Sequence, residues 1–239
     1  MKLYAICLGA VLALNLPSSE AKIIDRSRFT YQDDDREVKN FHSISLSGSF
    51  NIMVKIGAKE SISLEGDAQD LNRVETIVQN GVLRIRLKRD VNNWNVGIGK
   101  VTIYITAKRL DGLVLSGSGN INLDGKLSSA SADVQLSGSG KITAGLDSQT
   151  AGVALSGSGT INLSGEVGAV NISISGSGNV NATDLISEKS KMQIAGSGNV
   201  SITSKEELNA TLLGSGSVNY KGNPKLSVNK VGSGEVVKL

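Results

Sequence analysis

The stretch Leu155-Ser-Gly-Ser-Gly-Thr-Ile161-Asn-Leu163 decides how this chain folds. Apolar residues alternate with polar ones on both sides of a Gly-Ser-Gly corner: Val153 and Leu155 before it, Ile161 and Leu163 after it. A period of two marks a strand with one buried face. The segment therefore reads as a short strand, a tight corner and a second short strand.

The same frame recurs along the chain. The first glycine of the unit falls at Gly117, Gly138, Gly157, Gly176, Gly196, Gly214 and Gly232, at intervals of 21, 19, 19, 20, 18 and 18 residues. Two positions before it stand Leu115, Leu136, Leu155, Ile174, Ile194 and Leu212. Four after it stand Ile121, Ile142, Ile161, Val180, Val200, Val218 and Val236. An early unit at Gly48 fits through Ile44, Leu46 and Ile52. One such unit cannot bury its own apolar face, but units stacked in parallel can, with equivalent residues ~4.8 Å apart. The expected fold is all-β: a right-handed parallel β-helix of ~20-residue Gly-Ser-Gly rungs. The crossover rule sets the hand. A left-handed helix would keep a strict six-residue sub-period, and these intervals drift.

Each buried column residue should contribute roughly 1.5–3 kcal/mol of transfer free energy. Glycine suits the corner because it adopts positive φ, or a close backbone approach, without a Cβ clash. Asn122, Thr143, Asn162, Asn181, Ser201 and Asn219 occupy one column, and the serines another, so polar ladders are expected between rungs.

The part before the repeats is less regular. Residues 40–239 read as one domain, with an irregular half over 40–112 and regular repeats over 113–239. Asn80-Gly81 separates two strand-like runs, 74–78 and 82–87, which is a strong hairpin signal. The run Arg84 to Arg89 alternates with Ile85 and Leu87 and reads as a solvated strand face. Asp67 to Leu71 reads as one helical turn, and residues 90–99 as a polar loop around Trp94. Residues 40–108 are expected to cap one end of the stack. Lys230, in a column of Leu and Ile, is expected to cap the other.

Residues 1–21 read as a signal peptide. Lys2 precedes an apolar run of 14 residues, Leu3 to Leu16, shorter than the roughly 20 a membrane span needs. Ser19 and Ala21 are small residues at positions −3 and −1 of a cut after Ala21. Residues 22–39, including Asp33, Asp34 and Asp35, are expected to form a flexible lead-in. The mature chain would hold no cysteine, since Cys7 lies in the signal. That excludes disulfides, thiol catalysis and Cys-based zinc sites. The expected location is outside the inner membrane: periplasm, outer cell surface or medium. Net charge is +3, with bases and acids interleaved, so no nucleic-acid partner is expected.

The order Arg36-Glu-Val-Lys-Asn-Phe41-His-Ser-Ile44-Ser-Leu-Ser-Gly-Ser-Phe50-Asn-Ile52, the Asn-Gly hairpin, the serial units and Tyr220-Lys-Gly-Asn-Pro224 together resemble a known bacterial family. It is the putative auto-transporter adhesin, head GIN domain family, and the resemblance covers about residues 38–236. It implies a secreted or periplasmic β-helix acting as a surface adhesin, and supplies no catalytic residues. An auto-transporter would need a C-terminal barrel of alternating ~10-residue strands. No such strands follow the repeats, so that part of the family name is not expected to apply.

Motifs of catalysis are not met. Gly138-Ser-Gly140-Lys141-Ile-Thr143 lacks the spacer and the Ser/Thr of a phosphate loop. The corners carry Asn120, Lys141, Thr160, Asn179 and Asn199 where a calcium β-roll would place aspartates. His42 is the only histidine, and Gly-x-Ser-x-Gly does not occur. Lys126, Asp133, Lys141, Glu166 and Asp184 scatter around the corner instead of clustering as in polysaccharide lyases. The expectation is thus a non-catalytic exported protein with no cofactor, metal or catalytic residue, serving as a cell-surface adhesin or envelope scaffold. Its partner would be a cell-surface glycan or an envelope protein. The alternatives are a polysaccharide-acting enzyme on the same fold and a periplasmic regulatory binding protein. Asn93, Trp94 and Asn95 are the candidate ligand contacts, because sugar binding favours an exposed aromatic platform. The competing reading packs Trp94 over the end of the core.

The column assignment predicts that Leu155→Asp abolishes cooperative thermal unfolding followed by circular dichroism. An unchanged transition would overturn it.

Overall fold

A computed structural model describes residues 31–88 and 99–239 of the chain. Its first part contains β1 (Tyr31–Arg36), β2 (Ser43–Ser47), β3 (Asn51–Ile56), β4 (Ser61–Asp67), α1 (Ala68–Leu71), β5 (Val74–Gln79), β6 (Val82–Leu87), β7 (Thr102–Ala107) and β8 (Gly112–Gly117). Then follow β9 (Asn120–Gly138), β10 (Lys141–Gly157), β11 (Thr160–Gly176), β12 (Asn179–Gly196), β13 (Asn199–Gly214), β14 (Ser217–Lys221), β15 (Lys225–Val231) and β16 (Glu235–Lys238). The strands wind into parallel coils of about 19 residues, a β-solenoid of about seven turns.

The expected columns line the core. Leu136, Leu155, Ile174, Ile194 and Leu212 are successive register partners in parallel pairs from β9 to β13. Ile142, Ile161, Val180, Val200 and Val218 form the matching column after the corner. Every member of both columns is buried to 2% exposure or less. The variation in unit length is absorbed elsewhere. Register slips fall after the second strand, at Thr143/Gly145, Asn162/Ser164, Ala182/Ile186 and Ser187/Lys189, and never at the Gly-Ser-Gly corner. At the last of these slips the interior turns polar, with Ser187, Ser190 and Ser204 buried and hydrogen-bonded to one another.

The corner is held by backbone. Ser158 and Gly159 N–H both donate to Gly138 O, at 3.1 and 3.0 Å, and Thr160 N–H donates to Gly140 O at 3.0 Å. Gly157 has φ +114°, and a Cβ there would lie 2.6 Å from Gly138 O. A Cβ on Gly159 would meet Leu136 Cδ2 at 2.6 Å and Gly140 O at 2.7 Å.

The first coil of the sequence does not end the stack. β2 and β3 pair in parallel with β8 and β9 on one side, and with β6 and β7 on the other. The chain therefore leaves the first coil, builds a further layer beyond it, and returns across it at residues 108–111. The hairpin β5–β6 is antiparallel, with φ of 52° at Asn80 and 74° at Gly81, as its Asn-Gly turn required. Asp67 caps α1, accepting from Gln69 N–H at 2.9 Å.

Two expectations are corrected. Residues 31–36, expected in a flexible lead-in, form an edge strand antiparallel to β4. Arg36 closes the end of the stack, donating to Val74 O at 2.7 Å and Leu71 O at 2.9 Å while pairing with Asp34 at 2.7 Å. Satisfying those carbonyls gives this stretch a fixed place that its polar composition hid. At the opposite end, Lys230 does donate to Gly234 O at 3.3 Å, but the cap is partial. Leu226 and Val228 are 43% and 42% exposed, while their partners in the coil below, Leu208 and Ala210, are buried.

Gly157→Ala combines a positive φ with a clash against backbone, and is expected to cost about 2 kcal/mol or more in chemical denaturation. Gly152, whose added Cβ would meet only Asp133 Oδ1 at 3.1 Å, should accept Ala within about 0.5 kcal/mol.

Candidate functional site

Strand alternation sends Val54, Ile62 and Ile105 into the core and their neighbours outward. Two outward rows cross adjacent strands. In the first, Asp35, Ser63, Tyr104 and Met53 are successive register partners from β1 through β4 and β7 to β3. In the second, Ser61, Thr106, Lys55 and Asp124 are partners from β4 through β7 and β3 to β9. Together they line an open groove of about 380 Å³. It lies where the sheet changes from parallel pairing (β7 with β3) to antiparallel pairing (β7 with β4).

Met53 and Tyr104 are 43% and 46% exposed and form the apolar part of the groove. Tyr104 Oη donates to Glu65 Oε2 at 2.9 Å, which steadies the ring. Asp35, Lys55 and Asp124 supply charge around it. Among the described residues Lys55 forms no ion pair with either aspartate. No three His, Cys, Asp or Glu side chains are placed to hold a metal among them.

Beyond this groove the same outward columns become small and polar, and the asparagine ladders form in segments. Asn181 donates to Asn162 at 2.9 Å, Asn199 to Asn179 at 3.0 Å and Asn120 to Asn51 at 2.7 Å. The corner serines make no hydrogen bond to their copies among the described residues, so the expected serine ladder does not form there. On the outer face before the corner, Ser116, Ser137, Ser156 and Ser175 line a shallow trough of about 240 Å³. A second depression of about 250 Å³ continues it past Gln193 to Leu213.

Asn93, Trp94 and Asn95 lie outside the described residues, as do residues 1–21. The segment that carries them joins β6 to β7, the strand of Tyr104. His42 sits on the surface, its Nδ1 2.9 Å from Asp111. The neighbouring Ser43 hydroxyl donates to Gly112 O at 3.1 Å and not to the histidine. The exposed Glu37–Lys39 pair shifts both groups through their hydrogen bond and then their charge, lowering Glu37 and raising Lys39. Fully solvated, it holds nothing in place.

Tyr104 and Met53 were missed as site residues. The available signal was Met53: five positions after Gly48, it stands in the column that holds Asn122, Thr143, Asn162 and Asn181 in later units. A large apolar residue in a ladder column marks an interruption of the polar face.

Stacked coils, backbone-locked corners, an antiparallel end layer and open surface grooves define a β-solenoid whose chemistry is displayed on its outside. The chain belongs to the family described as "Putative auto-transporter adhesin, head GIN domain", whose profile matches residues 40–224. Three solved structures share the fold. A "putative adhesin" from Bacteroides fragilis is 23% identical with a TM-score of 0.82, covering 88% of this chain and 97% of its own. A "putative lipid binding protein" from Parabacteroides distasonis is 24% identical with a TM-score of 0.71, covering 87% and 96%. A "putative adhesin" from Parabacteroides merdae is 20% identical with a TM-score of 0.68, also covering 87% and 96%. No curated protein matches the chain.

The inward and outward assignment around the groove is testable by stability alone. Tyr104→Ala should leave the melting temperature within about 2 °C. Ile105→Ala, one residue along, should cost about 2–5 kcal/mol.

Proposed function

We propose that the protein is a non-catalytic, exported adhesin or scaffold of the bacterial cell envelope. One observation carries this reading: between Tyr104 and Ile186 no large apolar side chain is exposed. Several consecutive coils thus present serine, asparagine and threonine on faces that stacking holds rigid. Such faces suit recognition through many weak hydrogen bonds spread over several rungs, with little ordering cost on binding. Membership of an adhesin-type family supports the same reading, as does the signal-like sequence of residues 1–21. Among the described residues no helix is long and apolar enough to cross a membrane. The partner is a cell-surface glycan or an envelope protein.

Two measurements test this. In the bacterium that makes it, the protein should be cleaved by protease added to whole cells or released by osmotic shock, and deletion of residues 1–21 should abolish both. Beads coated with residues 22–239 should adhere to envelope preparations. Retention inside intact cells, or beads that fail to adhere, would overturn the proposal; release of reducing ends from polysaccharides would favour the enzyme.

A further inference from the structure

We infer that the groove around Tyr104 and Met53 is a binding site for a neutral oligosaccharide. The inference rests on the adhesin reading above and names the ligand class of one surface.

Three features of the groove point to a sugar. The first is an aromatic ring that is half exposed yet fixed, through the 2.9 Å bond from Tyr104 Oη to Glu65. A tethered ring offers an apolar face to the C–H face of a pyranose at small entropic cost. Met53, its register partner on β3, extends that apolar floor. The second is a border of uncommitted hydrogen-bonding groups. Asp35, Lys55, Ser61, Ser63 and Asp124 line the groove, and among the described residues none of them is engaged in a side-chain hydrogen bond or ion pair. Sugar hydroxyls are donors and acceptors at once, and this set offers both functions around one ring. The third is charge. Two carboxylates against one lysine leave the groove acceptor-rich and net negative, which opposes uronic acids, sialic acids and phosphorylated glycans.

Shape excludes the other ligand class suggested by a structural neighbour. The groove is open and of about 380 Å³, floored by two apolar side chains on the face of a sheet. An acyl chain laid there would keep much of its surface in water, whereas lipid sites enclose the chain. Placement fits a recognition site too. The groove lies on sheet strands instead of loops, so its rows keep their spacing. It sits at the end layer of the stack, where the flat asparagine column gives way to larger side chains.

The test uses residues 22–239 on an array carrying neutral, amino-sugar and acidic oligosaccharides, followed by calorimetry with cellohexaose, chitohexaose, an oligogalacturonate and phosphatidylglycerol vesicles. Binding to at least one neutral oligosaccharide is expected. Tyr104→Ala should weaken it by about tenfold or more with an unchanged melting temperature, and Tyr104→Phe should retain most of it. Asp124→Asn should weaken binding without changing the preference for neutral sugars. Saccharide binding unaffected by Tyr104→Ala would remove the groove assignment, and the adhesin reading would survive on another face. Binding confined to the oligogalacturonate or the vesicles, or to no saccharide at all, would overturn the ligand class. Bead adhesion to envelopes separates that failure from failure of the adhesin reading.

Discussion

The structure depends on how closely one backbone can approach another at the Gly-Ser-Gly corner. From Gly117 to Gly232, a Cβ on the first corner glycine would lie 2.4–2.6 Å from the carbonyl oxygen of the equivalent glycine one coil earlier. No side chain fits in that space, and positive φ at the same residues excludes L side chains independently. Because the approach is so tight, each corner carbonyl can accept N–H groups from the coil above, and the parallel ladder continues round the bend. A buried bend would otherwise leave unpaired amides. The corner is therefore the register clamp: unit length drifts by several residues, but the drift is expelled to the return segment.

With register clamped, inward and outward positions answer to different demands. The two inner columns that flank the corner are apolar and fit the interior between neighbouring coils, which explains why only Leu, Ile and Val stand there from β9 to β14. The outer columns need only avoid covering the surface with exposed apolar area. Ser, Asn and Thr meet that requirement and, in places, tie one coil to the next. Function belongs to the places where outer columns break their habit. Met53 and Tyr104 do so together, across a parallel pair, beside an antiparallel strand that brings Ser61, Ser63 and, through β1, Asp35.

The two ends solve the edge problem unequally. At the first, antiparallel strands and the Arg36 guanidinium cover the terminal layer and satisfy its carbonyls. At the second, β15 and β16 lie over β13 and β14 with their far edges open, and Leu226 and Val228 show what a core column looks like when no coil covers it. The comparison measures what a neighbouring coil does: the same columns are exposed by only a few per cent everywhere else.

The repeat itself was legible because it is a one-dimensional pattern. Period-two alternation, corner glycines and column identity are all properties of sequence spacing, and stacking turns them directly into strands, bends and core. The hairpin was legible for the same reason, since Asn80-Gly81 meets a local φ requirement. What spacing cannot express is order in space. Only the tertiary structure placed β6 and β7 beyond the first coil, brought residues 35 and 124 to the two sides of one groove, and made an edge strand of residues 31–36. Those neighbours are set by the need to cover the first coil's apolar face and pair its free edge, a demand that arises only once the stack exists. The groove inherits that origin: its residues come from five strands, so only Met53, out of place in its column, left a trace in the sequence.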